Sequence, residues 1–357
     1  MRCPSLDELP VPPSNKCGWP WTVASERLPE RMADGSDWPK ISIVTPNYNY
    51  ERYLEATIRS VLLQGYPNIE FIVEDGGSTD GSDALLGRYE KYLSWVSRPG
   101  SGQQASINHG LHKATGSILA YINSDDYYAP NAFGLVAGVF REHPEVDWIY
   151  GRCQFVDEQG QAIRQHLSDI ASLEDLLDVW NVWWKDRYIV QPETFWRRRI
   201  WEKAGDFRTD LKYVFDYEYW CRMFRAKAIC RRLDADLACF RVQPSQKTKD
   251  GTATVDEELA VVADWIWDPN VPISRKNRRL LQGHWLYDRK FGRAAKRSLM
   301  RGDPAIYRWL KLAGISVLYL QLWHVPEFRR RLTTLVRSLT NRSTPRASRN
   351  ILERGNH

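Results

Sequence analysis

From Lys40 onward the apolar residues of this chain alternate between two spacings. The blocks KISIVT, IEFIVE and Ile118–Ile122 are short continuous apolar runs, the signature of strands buried on both faces. Between them, Tyr53–Leu63, Asp83–Lys91 and Gln104–His112 repeat apolar positions at three and four residues, which predicts amphipathic helices, with a further strand near Leu93–Ser97. Alternation of this kind predicts an α/β domain with a mostly parallel sheet flanked by helices.

After Pro130 the pattern predicts a helix from about Asn131 and a short strand at VDWIYG. Beyond Gly160 it loosens. Ser172–Asp175 has the form of a capping box, Asp216–Phe224 reads as a helix and LACFRV as a strand. Helical spacing then recurs at Val255–Trp267, Arg278–Lys290 and Ile306–Leu320. Residues 1–39, with LPVPP and GWPW, carry neither period and predict an extended arm. The expected organisation is an arm over 1–39, an α/β domain over 40–250 and a helical extension over 251–357.

Composition changes this picture in two places. The 357 residues carry 50 Lys and Arg against 44 acids, but residues 271–357 hold 20 basic residues and four acidic ones. Such a tail suits an anionic surface, with membrane phosphates and nucleic acid as the two candidates and a solvated helical face as the plain alternative. Six cysteines, at 3, 17, 153, 221, 230 and 239, form neither a C-x-x-C pair nor a zinc spacing and are expected to be reduced thiols. No signal-peptide pattern opens the chain and Leu312–Pro326 is too short to span a bilayer, so a cytoplasmic protein, peripheral on the membrane, is expected.

Ligands of open parallel sheets bind beyond the carboxyl ends of the strands. Three polar clusters fall there: Thr45–Asn49, Glu74–Gly81 and Asn123–Asp126. Adjacent carboxylates at Asp125 and Asp126 repel each other unless a cation sits beside them, and oxygen ligands suit Mg²⁺ or Mn²⁺ clamping a diphosphate. As a cap for the helix at Asn131 the pair would stand several residues early. Asp75, leaving a buried strand into a glycine-rich turn, is placed to accept hydrogen bonds from a base or ribose. Tyr48 is placed either to stack on a base or to pack.

The ordered series TPNYN (45–49), SVLLQGYPNIEFIVEDGGSTDGS (60–82), INHGLHKATGSILAYINSDDYY (107–128) and FDYEYWCRM (215–223) resembles family 2 glycosyltransferases of the GT-A (Rossmann-like) fold over about 40–245. The resemblance implies inverting, Mg²⁺- or Mn²⁺-dependent transfer of a sugar from a nucleotide-diphosphate donor (UDP-, GDP- or dTDP-linked) to an acceptor hydroxyl. Residue by residue it implies that Pro46, Asn47 and Tyr48 line the nucleobase pocket and Asp75 binds the nucleoside. Asn108 and Asp125 belong to the donor site, Asp126 ligates the metal, and Asp216 is the general base. A glycan or lipid-linked acceptor on the membrane face is the expected partner, with no nucleic acid.

The chain departs from that pattern at Gly100 and Ala105, where relatives carry carboxylates, and at Gln243, where many carry histidine. An inactive nucleotide- or glycan-binding homologue is therefore the second reading. Gly100–Ala105 also satisfies G-x-G-x-x-A, a nicotinamide pattern, but after the third strand rather than the first. Trp180, Trp183 and Trp184 are candidates for a sugar platform or for core. Arg197–Arg199 are candidates for an acceptor phosphate or for a solvated run.

Overall fold

The computed structural model of the chain describes residues 1–247, 251–292, 314–315 and 319–340. Its first compact unit is Met1–Val262 and its second is Ala263–His357. In the first, the strands form one sheet: β1 (Ile41–Asn47), β2 (Ile69–Asp75), β3 (Ser94–Ser97), β4 (Ile118–Tyr121), β5 (Tyr127–Tyr128), β6 (Trp148–Val156), β7 (Ala162–Leu167), β8 (Thr194–Arg197) and β9 (Cys230–Arg241). The order is β3-β2-β1-β4-β8-β6-β9-β5, with β7 added on β6. The sheet is mixed. The β3-β2-β1-β4 half is parallel, whereas β8 runs antiparallel to both β4 and β6.

The middle of the parallel half forms because β1 and β4 have no polar face to show to water: every residue of both is buried, whereas β3 at the edge is only partly covered. Helix α1 (Glu51–Leu62) buries Leu54, Ile58, Val61 and Leu62, the stripe that its sequence period required. Helices α2 (Ser82–Tyr89) and α3 (Gln103–Lys113) complete the crossovers. Gly110 of α3 sits so close to β1 that a Cβ there would lie 2.5 Å from Val44 Cγ1.

Residues 1–39 run against this half. Cys3 N–H donates to Tyr66 O (2.9 Å), Ile69 N–H to Met1 O (2.7 Å) and Trp19 Nε1–H to Tyr128 O (2.8 Å). Arg59 of α1 is 0% exposed and is satisfied by the arm: its guanidinium donates to Pro10 O (2.9 Å), Pro20 O (3.0 Å) and Trp21 O (2.8 Å), and to Tyr89 Oη (3.2 Å). Arg59→Ala strands those carbonyls in a buried site. We expect a loss of about 3 kcal/mol or more, read from the urea midpoint, with limited proteolysis cutting within residues 1–39 first.

Further helices of this unit are α4 (Ala132–Glu142), α5 (Leu173–Leu177), α6 (Arg198–Ala204) and α7 (Phe215–Arg225). Ser172 caps α5 as its sequence suggested, its hydroxyl accepting from Asp175 N–H. Helix α8 (Gly251–Trp267) begins in the first unit and ends in the second. The second unit holds α9 (Arg275–Leu286) and the helix Pro326–Thr340, with Leu286, Leu322, Val325 and Phe328 as its core. The helix expected at Ile306–Leu320 lies almost wholly outside the described residues. Among the described residues no helix is long and apolar enough to cross a membrane.

Candidate active site

A cavity of about 940 Å³ opens across the carboxyl edge of the sheet in the first unit. Its lining includes Pro46, Asn47 and Tyr48 at the end of β1, Ser101–Gln103 at the start of α3, Asn123–Asp126 after β4, and Asp216 on α7. Residues far apart in the chain, from Pro46 to Glu258, thus share one space. Tyr48 is 60% exposed, so it presents a free ring rather than core packing.

The Asp125–Asp126 turn is held from below. Thr57, on the buried face of α1, donates its hydroxyl to Ser124 O (3.0 Å) and Asp126 O (2.6 Å). Asp126 is 1% exposed; its Oδ1 accepts from Arg241 N–H (2.8 Å), while its Oδ2 has no hydrogen-bond partner. Burial, and then the neighbouring Asp125 charge, push the Asp126 carboxyl well above the usual range. Arg241, which sequence reading passed over, is the counter-cation: it donates Nε–H to Asp125 O (2.9 Å) and lies over the rings of Tyr53 and Tyr127. Gln243 donates to Asp125 Oδ2 (3.2 Å) and Tyr50 Oη (3.0 Å).

These residues fit a divalent cation in a particular way. Among the described residues no group of three or more His, Cys, Asp and Glu side chains converges. Mg²⁺ and related ions are commonly held by one or two carboxylates, with phosphate and water completing the shell. A carboxylate pair, Asp125 half-buried and Asp126 buried with one unpartnered oxygen, supplies that share.

Asp216 stands near the start of α7, where its Oδ1 accepts from Tyr217 N–H (2.8 Å). Burial raises its pKa to about 6, Lys247 works in the other direction, and Glu257 adds to the rise. A carboxylate near neutrality, facing the cavity, is poised to accept a proton at working pH.

Two other expected donor residues sit elsewhere. Asn108 does not reach the cavity lining: its side chain is spent on the Phe207 backbone, donating to the carbonyl (2.8 Å) and accepting from the N–H (2.8 Å). Asp75 is likewise absent from the lining and is an organising centre. Its carboxylate accepts from Asn47 Nδ2, Gly77 N, Ser78 N, Ser78 Oγ and Ser97 Oγ, which hold its pKa below the ordinary value against burial. Gly77 takes φ +88° in that turn, where a Cβ would also strike Pro99 at 2.8 Å.

The arginine run is tied into the frame, with Arg197 and Arg198 half-buried and Arg199 still exposed. Arg197 donates to Phe140 O and Val146 O, Arg198 to Ala114 O and Gly116 O, and Arg199 to Asp147 Oδ1 and Pro144 O, so the three staple loops together. Trp183 and Trp184 line the cavity, and both indole N–H groups donate to Glu258 of α8 (3.0 and 2.7 Å); Trp180 packs edge-on against Trp184 outside it. Gln191 donates to Tyr121 O (2.7 Å) and also lines the cavity.

This architecture is that of the GT-A glycosyltransferases. TarS of S. aureus (residues 1–349), solved with UDP-GlcNAc, superposes with a TM-score of 0.56 at 18% identity, covering 81% of this chain and 82% of that one. The mannosyltransferase PcManGT of Pyrobaculum calidifontis, solved with GDP-Man and Mn²⁺, gives 0.53 at 17% identity, covering 84% of each. The chain belongs to glycosyl transferase family 2, whose family model matches residues 42–232, more than half its length. An uncharacterized glycosyltransferase of Nostoc sp. is 31% identical over 238 residues, 62% of this chain and 70% of that protein. With the family shown, the nicotinamide reading of Gly100–Ala105 falls away. The segment serves as the entry to α3, with Gly100 at φ +79° and Ser101–Gln103 on the cavity wall.

Proposed function

We propose that the chain transfers a sugar, with inversion, from a nucleotide-diphosphate donor to a hydroxyl of a glycan or lipid-linked acceptor. In this reading residues 40–250 are the transferase domain, and the basic C-terminal extension, 251–357, meets an anionic membrane face. The observation that carries it is that Asp125, Asp126 and Asp216 line one cavity together with Pro46–Tyr48. The nucleotide sugars bound in TarS and PcManGT support the donor class.

Tyr48 stacks on the base and the Pro46–Asn47 end of β1 bounds it. Asp75 holds Asn47 and Ser78 in register beneath it. Asp126, with Asp125 beside it, holds Mg²⁺ or Mn²⁺, which when bound offsets charge developing on the leaving diphosphate. Asp216 takes the proton of the attacking hydroxyl. Inversion needs a base on the face opposite the leaving group, and Asp216 comes from α7 while the aspartate pair follows β4.

A thermal-shift panel of UDP-, GDP-, CMP- and dTDP-sugars, each with Mn²⁺ or EDTA, tests the donor site. Metal-dependent stabilisation by one nucleotide class is expected, and none with any donor would sink the reading. Tyr48→Ala weakens the stabilising nucleotide about 10-fold, since stacking on one base contributes roughly 1–3 kcal/mol.

A further inference from the structure

Helix α7 opens without a capping side chain of its own: Val214 stands at its N-cap and supplies no side-chain hydrogen bond. The anchor comes from α8 instead. Glu257 Oε1 accepts from Lys212 N–H (2.7 Å), and its Oε2 accepts from Tyr213 N–H (2.5 Å) and Val214 N–H (2.9 Å). One carboxylate thus collects three consecutive backbone donors immediately before the helix whose second residue is Asp216. Its neighbour Glu258 collects the two indole N–H groups of Trp183 and Trp184 across the cavity. Both acids lie beyond residues 42–232, the stretch that the family model covers.

We propose that Glu257 is a positioning residue for transfer, holding the 212–214 turn so that the Asp216 carboxylate faces the acceptor hydroxyl; this rests on the reading of Asp216 as the base. The physical argument is geometric. Three successive N–H groups converging on one point form a concave anion site, and a carboxylate filling it fixes the φ and ψ of each residue that contributes. The base then projects from a turn that cannot swing, and catalytic efficiency depends steeply on such placement. The Glu257 charge acts on Asp216 as well as the backbone does. Around Asp216 stand the Tyr121 hydroxyl from β4, the Lys247 ammonium after β9, and Glu257 and Glu258 from α8. Against that background one negative charge less favours ionisation of Asp216.

Glu257→Gln keeps an oxygen for the backbone donors and removes the charge; Glu257→Ala removes both. In full-length protein labelled with ¹³Cγ-aspartate, the signal lost in Asp216→Asn assigns the Asp216 carboxyl, and its titration is followed in wild type and in Glu257→Gln. The midpoint is expected to move to lower pH in Glu257→Gln. Hydrogen exchange of amides 212–214 is expected to quicken in Glu257→Ala while the sheet amides hold, and release of UDP from UDP-GlcNAc or GDP from GDP-Man with Mn²⁺ falls about tenfold or more in kcat at unchanged nucleotide affinity. An unmoved midpoint, or unchanged exchange at 212–214, overturns the role of Glu257. Turnover that survives in Asp216→Asn is a different result, and removes the base assignment instead.

Discussion

Asp216→Asn lowers turnover by about 10²–10⁴-fold, the range for removal of a general base, with the affinity for UDP or GDP in Mn²⁺ unchanged. The asparagine keeps the side-chain oxygen that accepts from Tyr217 N–H, so the geometry at the start of α7 survives while proton acceptance is lost. The wild-type pH profile carries the same signature. With the Asp216 pKa raised to about 6, the base is ionised above that value; activity halves there and falls about tenfold per unit below it. Stability runs the other way. A folded pKa above the unfolded value means that burial disfavours the ionised form, so this group's contribution is most favourable in acid and is lost as pH rises through 6. Asp216→Asn is therefore more stable than wild type at pH 7.5, and the gap closes toward pH 4. Melting temperatures at both pH values, measured beside the turnover rates, check the pair. Full turnover together with a lowered melting temperature would remove Asp216 from the chemistry.

Asp126→Asn abolishes the Mn²⁺ dependence of nucleotide binding and lowers turnover by about 100-fold or more, since a bound cation contributes several kcal/mol of charge stabilisation. The substitution preserves volume and still accepts the Arg241 N–H at Oδ1. It removes a buried charge pressed against Asp125, whose repulsion helps to raise the Asp126 pKa. The fold is retained and the melting temperature does not fall. Calorimetric titration of UDP and of GDP, each with Mn²⁺ and with EDTA, reads the effect. Mn²⁺-dependent binding at wild-type strength in this variant would place the cation elsewhere.

The aspartate pair was legible in the sequence because two adjacent carboxylates after an apolar strand have few structural uses. The helices and strands of 41–121 were legible for a related reason: each is short, strongly periodic and bounded by glycine or polar turns. Arg197–Arg199 were not, since a charge run looks the same whether it is solvated or bonded to the carbonyls of three loops. Asn108 shows the reverse limit. Its motif points toward the donor, yet its amide pairs with Phe207, a contact 99 positions away that no local pattern announces. Arg241 and Glu257 escaped for the same cause, each acting through a partner chosen by the packing of distant elements.

What the sequence by itself determined is the set of local elements and the chemistry parked at their ends: buried strands, amphipathic crossovers, and the carboxylates at 75, 125, 126 and 216. Hydrophobic period and turn chemistry act over a few residues, so a sequence records them directly. The tertiary structure alone decided which of those acids share a cavity, which are consumed in the frame, and what holds the others in place. Asp75 is drawn into five hydrogen bonds, Asp126 keeps an oxygen unpartnered, and Asp216 is raised toward neutrality by burial. Desolvation and hydrogen-bond satisfaction depend on every neighbour in space, and those neighbours come from the whole first unit.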